Sequence, residues 1–128
     1  CAAAVATLAE YKNLNIEENV AKVGKVLADI EDGYVDAHPC VGQVRHIGLF
    51  SAIELVKDKE TREPLVPFGK DPEGYMKKIL GMLVAEGFWT YSHENMIIVA
   101  PPLIITEDEI VENMKIMDKV LTEVDKWI

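Results

Sequence analysis

The residues of this chain with the strongest chemical character are scattered, and few of them stand at spacings that build a site. Cys40 and His38 are separated only by Pro39. A thiol beside an imidazole is half of a nucleophilic pair, but such pairs are usually assembled across a fold rather than between near neighbours. The alternative is that Cys40 is a small buried apolar residue. No two histidines are three or four residues apart, so the sequence predicts no metal site.

The lysines do not offer a covalent catalyst. A lysine that forms a Schiff base needs an apolar setting that lowers its pKa. Most lysines here stand instead in the surface pattern of predicted helices: Lys22, Lys25, Lys77, Lys78, Lys115, Lys119 and Lys126. The chain also lacks the GxGxxG, GxxxxGK[ST] and GxSxG motifs, which excludes the usual phosphate cradles and the nucleophile elbow. We therefore predict no catalytic and no cofactor-binding residue in this chain.

Three polar residues next to apolar segments are candidates for a site. Arg45 lies in the stretch VRHI, where a guanidinium group requires a carboxylate or carbonyl partner. That partner is either an internal carboxylate such as Glu54 or the anion of a substrate. Tyr91 and His93 flank the turn before the apolar run MIIVA. They are either surface turn residues or the polar lip of a pocket whose other side lies outside this chain.

The stretch MIIVAPPLIITEDEI joins an apolar strand, two prolines and a helix start. Pro101 and Pro102 end the strand without leaving N–H groups that need partners. Thr106 and Glu109 then form a capping box for a helix. We interpret the prolines as a structural junction, with the preceding turn as a possible pocket wall.

The helices that carry these residues are predicted from apolar residues at steps of three and four. The opening CAAAVATLAEY is typical of a helix but has no start signal, so we expect residues 1–14 to be the tail of a helix that begins upstream. A second helix is predicted to begin at Asn15, with Glu18 completing a capping box. It is predicted to end either near 32–33 or just before 38–39.

Two further helices are predicted towards the C-terminus. One has Asp71 as its cap and Pro72 in its first position, and it ends at Gly87 in a left-handed conformation. The other covers 106–127 and has a clear apolar stripe, formed by Ile110, Met114, Met117, Leu121 and Val124.

Four strands are predicted, at 43–47, 49–57, 88–91 and 96–100. Gly48 suits a bulge or a close backbone approach, and SHEN is predicted to form the last turn. Both faces of the second strand are largely apolar, so we expect most of it to be covered. The order of elements predicts an α+β fold, a small and mainly antiparallel sheet with helices packed on it, as a single domain over 1–128.

The composition limits the classes of partner. Hydrophobic residues make up 49% and charged residues 27%, as in soluble globular proteins. The net charge of −9 disfavours nucleic acid and anionic membranes, and no apolar run approaches the length of a membrane span. Two cysteines without a disulfide framework favour a cytoplasmic location.

Three blocks of the chain resemble class III aminotransferases, which depend on pyridoxal phosphate. CAAAVATLAEY resembles the helix after the family's GHP-type segment. HPCVGQVRHIGLFSAIELVKDKETREP resembles its VRGxGLFxAxELVxDxxTxxP block, and IIVAPPLIITEDEI resembles its IxxAPPLxITxxEI segment. The blocks occur in the family's order and cover essentially the whole chain. The nearest likeness is to the ω-amino-acid:pyruvate and taurine:pyruvate type.

This resemblance implies the C-terminal small domain of a fold type I enzyme, a fragment of a longer, homodimeric protein. In the family, the lysine and the other residues that hold pyridoxal phosphate lie in the large domain. The fragment alone is therefore expected to be inactive and to have its own large domain as partner. The parent is expected to transfer an amino group from an ω-amine or ω-amino acid, taurine-like donors included, to a keto acid such as pyruvate.

One departure from the family concerns the substrate carboxylate. Several relatives bind it with an arginine, which stands at the position of Tyr91 in some and of Ile98 in others. This sequence has neither arginine, which puts α-carboxylate binding by that route in doubt. Arg45 matches the family's VR arginine, for which we expect a structural role, while Tyr91 and His93 are the candidate substrate-binding residues.

Two other functions remain open alternatives. One is a free-standing α+β ligand-binding or regulatory module, which the first helix without a start signal argues against. The other is a structural interaction domain. A lysine-bearing pyridoxal phosphate domain in the same open reading frame would distinguish the aminotransferase from both.

Overall fold

Four α-helices and five strands make up the fold in this computed structural model, which describes residues 1–128. The helices are α1 (Ala2–Asn13), α2 (Ile16–Ala37), α3 (Tyr75–Ala85) and α4 (Glu107–Val124), which continues into a 3-10 turn at Asp125–Trp127. The strands are β1 (Val41–Ile47), β2 (Phe50–Asp58), β3 (Glu63–Pro64), β4 (Tyr91–His93) and β5 (Met96–Val99). This confirms the predicted α+β class.

The sheet is antiparallel, in the order β1-β2-β5-β4, and the short β3 pairs with β2. Arg45 lies opposite Ala52, Ala52 opposite Ile98, and Ile98 opposite Tyr91. Residues that lie opposite each other in antiparallel strands share a face. Arg45 and Tyr91 are therefore on the same face of the sheet, at its two edges.

The helices cover the other face of the sheet. Ser51, Ile53 and Leu55 alternate along β2 and are fully buried, and the core also contains Leu27 of α2 and Leu121 of α4. The face that carries Arg45 and Tyr91, called here the open face, is only partly covered. Most of β2 is covered, as expected: of residues 49–57, five are buried, two are half-buried, and only Phe50, on the open face, and Lys57 are exposed.

The start of α2 differs from the prediction. Asn15 is the N-cap residue, but its φ of 49° is left-handed and its side chain makes no capping hydrogen bond. Leu14 and Asn15 alone link α1 to α2, and the left-handed backbone at this link is one that asparagine tolerates. The predicted capping box with Glu18 is therefore wrong. At its other end, α2 continues past Gly33 and stops before the extended His38, as expected ahead of a proline.

The turn between β1 and β2 packs tightly against α2. Gly48 has a φ of +57°, and a Cβ atom built on Gly24 would lie 2.7 Å from the carbonyl carbon and oxygen of Gly48. Only two glycines allow backbones to approach this closely. The close approach predicted for Gly48 is confirmed.

The third helix begins later than predicted. It starts at Tyr75 after Gly74, whose φ is +66°, so Pro72 lies in the preceding turn and not in the helix. The carboxylate of Asp71 still accepts hydrogen bonds from the N–H groups of Tyr75 and Met76, at 2.8 and 3.0 Å. At the C-terminal end, Gly87 has the predicted left-handed conformation, with a φ of +90°.

The hairpin of β4 and β5 is also shifted. Only Glu94 and Asn95 form its turn, so Ser92 and His93 belong to β4 and not to a loop. Residues 88–90 lie outside the strand. A two-residue hairpin loop needs left-handed backbone, and Glu94 provides it with a φ of 51°.

The last helix agrees with the sequence. Thr106 and Glu109 form the full capping box, and every residue of the predicted stripe is buried. No helix of the chain is both long enough and apolar enough to cross a membrane.

Candidate substrate cleft

A cleft of about 340 Å³ lies between the beginning of α4 and the end of the sheet. Three segments form its walls: residues 87–91, which lead into β4 (the approach to β4), the end of β5 with the two prolines, and the first turns of α4. Its lining residues carry no charge and are mostly apolar: Gly87, Phe88, Trp89, Thr90, Tyr91, Val99, Ala100, Pro101, Pro102, Ile105, Ile110, Asn113 and Met114. Such a cleft can shape and orient a ligand, but it contains no carboxylate, histidine, cysteine or lysine, and its only hydroxyl groups are those of Thr90 and Tyr91.

The proline wall is fixed by a residue distant in the sequence. The side-chain amide of Asn19, on α2, donates to the carbonyl oxygens of Leu103 at 2.8 Å and Ile105 at 3.0 Å. These carbonyls follow Pro101 and Pro102 and precede the Thr106 cap. One amide thus satisfies two backbone acceptors in a segment that has no secondary structure of its own.

The hairpin that carries Tyr91 is anchored on both sides. The N–H of Gly69 donates to Glu94 Oε2 at 2.7 Å, and Asn95 Nδ2 donates to the carbonyl of Leu55 at 2.8 Å. The hydroxyl of Thr90 donates to the carbonyl of Ile98. These bonds define the position of the Tyr91 backbone, although the residue is 57% exposed.

The structure brings together only some of the residues singled out in the sequence. Tyr91, Pro101 and Pro102 all line the cleft. His93 is exposed on the open face, outside the cleft, and Arg45 lies at the far edge of the sheet. The substrate-binding role of Tyr91 and His93 stays a prediction, as does the structural role of the prolines.

Sequence reasoning missed Trp89 and Asn113. Trp89 is 86% exposed at the cleft, and its position within FWTY made it look like part of a strand. Asn113 donates to the carbonyl of Glu109 at 2.8 Å, which leaves its side-chain oxygen available to the cleft. The sequence signal that could have identified Asn113 is its place three positions after Ile110, as a polar residue at the margin of the apolar stripe.

Arg45 forms an ion pair with Glu54, which was one of the two partners considered for it in the sequence. Its Nη2 lies 3.0 Å from Glu54 Oε2 and 3.0 Å from Met96 Sδ. The pair is not internal, because the side chain of Arg45 is 53% exposed on the open face. Exposed pairs contribute little to stability, and the structural role of Arg45 remains a prediction.

Cys40 and His38 do not form a nucleophilic pair. His38 is engaged by two carboxylates, with Nδ1 2.7 Å from Asp125 Oδ2 and Nε2 3.2 Å from Asp118 Oδ1. Burial raises the pKa of the Cys40 thiol, whose sulfur contacts the carbonyl of Leu121 at 3.7 Å. A thiol that resists ionisation is a poor nucleophile. These contacts join the loop before β1 to the end of α4.

The chain belongs to the class III aminotransferase family, because the family model described as Aminotransferase class-III matches residues 1–121. Its fold is similar to part of the taurine:2-oxoglutarate aminotransferase from Bifidobacterium kashiwanohense, solved with pyridoxal phosphate and glutamate. The two share 40% identity with a TM-score of 0.93, and the match covers 98% of this chain and 28% of that chain.

Two relatives of similar identity are named for different reactions. A taurine–pyruvate aminotransferase of Bilophila wadsworthia is 33% identical over 98% of this chain and 28% of its own length. An ethanolamine-phosphate phospho-lyase homolog of Caenorhabditis elegans is 33% identical over 95% of this chain and 26% of its own. The chain thus spans about a quarter of the length of these relatives.

The residues of this chain do not fit a pyridoxal phosphate site. All eleven lysines have exposed side chains, and none lines the cleft. The cleft also lacks an arginine to pair with a phosphate group.

Proposed function

We propose that this chain is the C-terminal small domain of a pyridoxal phosphate-dependent aminotransferase, and that it shapes the substrate entrance. The family match over residues 1–121 carries this proposal. The cofactor and the catalytic lysine belong to a large domain outside these residues. On this proposal the 128-residue chain is inactive by itself.

The proposed reaction transfers an amino group from an ω-amine or ω-amino acid donor, such as taurine, to a keto acid such as pyruvate. Two similar proteins are named taurine aminotransferases. Tyr91 adds support, because a neutral phenol cannot match the bidentate, charged contact of an arginine with an α-carboxylate. The phospho-lyase reaction is less favoured, since the cleft has no cation for a phosphate group.

The proposed partners follow from the open face. Arg45, Phe50, Tyr91 and His93 are all exposed on it, and no helix of this chain covers them. We assign this face to contact with the large domain and the substrate entrance, in a homodimeric cytoplasmic enzyme. One cysteine is exposed and the other buried, and both are free, as suits a reduced compartment.

Tyr91→Arg in the intact enzyme tests the proposed donor class. A guanidinium group at the cleft should favour an α-amino acid over an ω-amino acid donor, because it adds one charge-assisted contact to the α-carboxylate. Such a contact is worth about 1.5–3 kcal/mol, or roughly a 10- to 150-fold change in the ratio of kcat/KM values. The measurement is that ratio for L-alanine against taurine, with pyridoxal phosphate and one keto acid other than pyruvate held constant, because alanine and pyruvate exchange without net change.

Tyr91→Phe is the matched control, because it removes the hydroxyl but adds no charge. It should leave the donor ratio within about threefold of the wild type. If Tyr91→Arg remains folded and dimeric but leaves the ratio unchanged, Tyr91 is not at the substrate entrance. If the wild-type enzyme prefers α-amino acids, the proposed donor class is wrong.

A further inference from the structure

The core contains one carboxyl group, and it is incompletely hydrogen-bonded. Glu31 of α2 and Ser51 of β2 both have no solvent exposure. Ser51 Oγ donates to Glu31 Oε1 at 2.6 Å, but no protein atom forms a hydrogen bond with Glu31 Oε2. An ionised carboxylate in this place would lack most of the donors that burial of a charge requires.

The ionisable neighbours of Glu31 do not offset its burial. Burial is the largest influence and raises its pKa; the Ser51 hydrogen bond and His46 of β1 lower it, while Asp32 raises it. Together they raise the pKa of Glu31 from 4.5 to about 7. His46 lies 3.3 Å from Asp32, so it already interacts with another carboxylate. Tyr34, one turn along α2, carries no positive charge.

We propose that Glu31 makes the contact between α2 and the sheet sensitive to pH, so that the neutral acid holds α2 on β2 and loss of its proton weakens that contact. The folded protein holds this proton more tightly than the unfolded chain does. Stability therefore falls as the pH rises across the window from 4.5 to about 7, and the contribution of Glu31 is constant above it.

The position of α2 gives this contact a link to the cleft. The same helix carries Asn19, whose amide holds the carbonyls of Leu103 and Ile105 behind the proline wall. A displacement of α2 from β2 would move the donor that orders this segment. Amide hydrogen exchange in residues 103–106 therefore measures the order of the segment that Asn19 holds at the cleft, and exchange around Glu31 measures the order of the contact between α2 and the sheet.

The test compares the protein with its Glu31→Gln variant, which keeps the shape and cannot ionise. Urea unfolding is measured from pH 5 to pH 8 at constant ionic strength. The unfolding equilibrium constant of the wild type should rise by at least about tenfold more than that of Glu31→Gln over this range, since each unit of pKa change is a factor of ten. Asp32→Asn controls for the neighbouring exposed carboxylate and should retain most of the wild-type slope.

The proposal would be overturned if the unfolding equilibrium constants of the wild type and Glu31→Gln had the same dependence on pH. If Glu31→Gln does not fold, the ¹³C-carboxyl shift of Glu31 in the wild-type protein decides the matter. A midpoint near 7 supports the proposal, and one at or below 4.5 overturns it. Ser51→Ala removes the hydrogen bond that lowers the pKa, so the midpoint should move to higher pH; a midpoint that moves down would count against it.

Discussion

Replacement by alanine should change the stability of the folded protein in opposite directions at two glycines of the same helix. Gly24 and Gly33 both lie within α2. A Cβ atom on Gly33 would meet no atom within 4 Å, whereas one on Gly24 would lie 2.7 Å from two backbone atoms of Gly48. Alanine is the better helix former at both positions, by roughly 1 kcal/mol. The difference between the variants therefore isolates the contact with Gly48.

The magnitude follows from which atoms must move. The atoms closest to the new methyl group belong to the backbone of a turn, so a change of rotamer cannot relieve the overlap. Gly48 cannot retreat easily either, because its φ of +57° is fixed by the turn between β1 and β2. Overpacking of this kind costs about 2–3 kcal/mol. After the gain in helix propensity, Gly24→Ala should lose about 1–2 kcal/mol, and Gly33→Ala should gain about 1 kcal/mol.

Urea denaturation followed by far-UV circular dichroism measures both values. The two variants should have the same m-value as the wild type, since neither changes the surface exposed on unfolding. Equal stabilisation by both alanines would refute the reasoning, because it would mean that α2 and the β1–β2 turn are farther apart than described. A loss of stability in Gly33→Ala would instead show that this exposed position has an unrecognised contact.

Three other predictions concern the last helix and the cofactor. Leu121→Ala should cost about 2–5 kcal/mol in urea denaturation because the side chain is fully buried, and a neutral result would place the stripe at the surface. Thr106→Ala should cost about 0.5–2 kcal/mol through loss of the cap. Hydrogen bonds from the N–H and hydroxyl of Thr106 lower the pKa of Glu109. The capping contribution to stability should therefore be present at neutral pH and fade as the pH falls through the acidic range. If Thr106→Ala had the same dependence of stability on acidic pH as the wild type, this would be contradicted. The 128-residue chain mixed with pyridoxal phosphate and borohydride should show no stoichiometric labelling of one lysine by mass spectrometry, and such labelling would contradict the assignment of the cofactor to other residues.

The elements best predicted from the sequence were those whose signals are local. The capping box at Thr106 and the stripe of α4 depend on residues at most four positions apart, and both are present. The capping box at Asn15 and the helical position of Pro72 failed for a different reason, although the Asp71 carboxylate does accept hydrogen bonds from the first N–H groups of α3. Each of the two helices is entered through a residue with left-handed backbone, Asn15 or Gly74, which the capping pattern does not report.

The cleft could be predicted only in part, because its walls come from distant segments. Pro101, Pro102 and Tyr91 were recognisable from their own neighbourhood. Asn113 was not, since its relevance depends on how α4 packs beside the approach to β4. The same holds for Glu31, which appears in the sequence as one of several acidic residues on α2 and is buried only because the helix turns that position towards Ser51.

The anchoring of the β4–β5 hairpin connects the fold to the proposed function. A substrate-contacting residue is effective only when its position is fixed by the surrounding structure. Here the turn is held by Gly69 on one side and Leu55 on the other, and Thr90 is bonded across to β5. The backbone at position 91 is therefore held in place even though the side chain that it carries is exposed. On the proposed function, the same backbone would present either a phenol or a guanidinium group to the substrate entrance, so we expect one substitution at position 91 to change the donor preference without changing the fold.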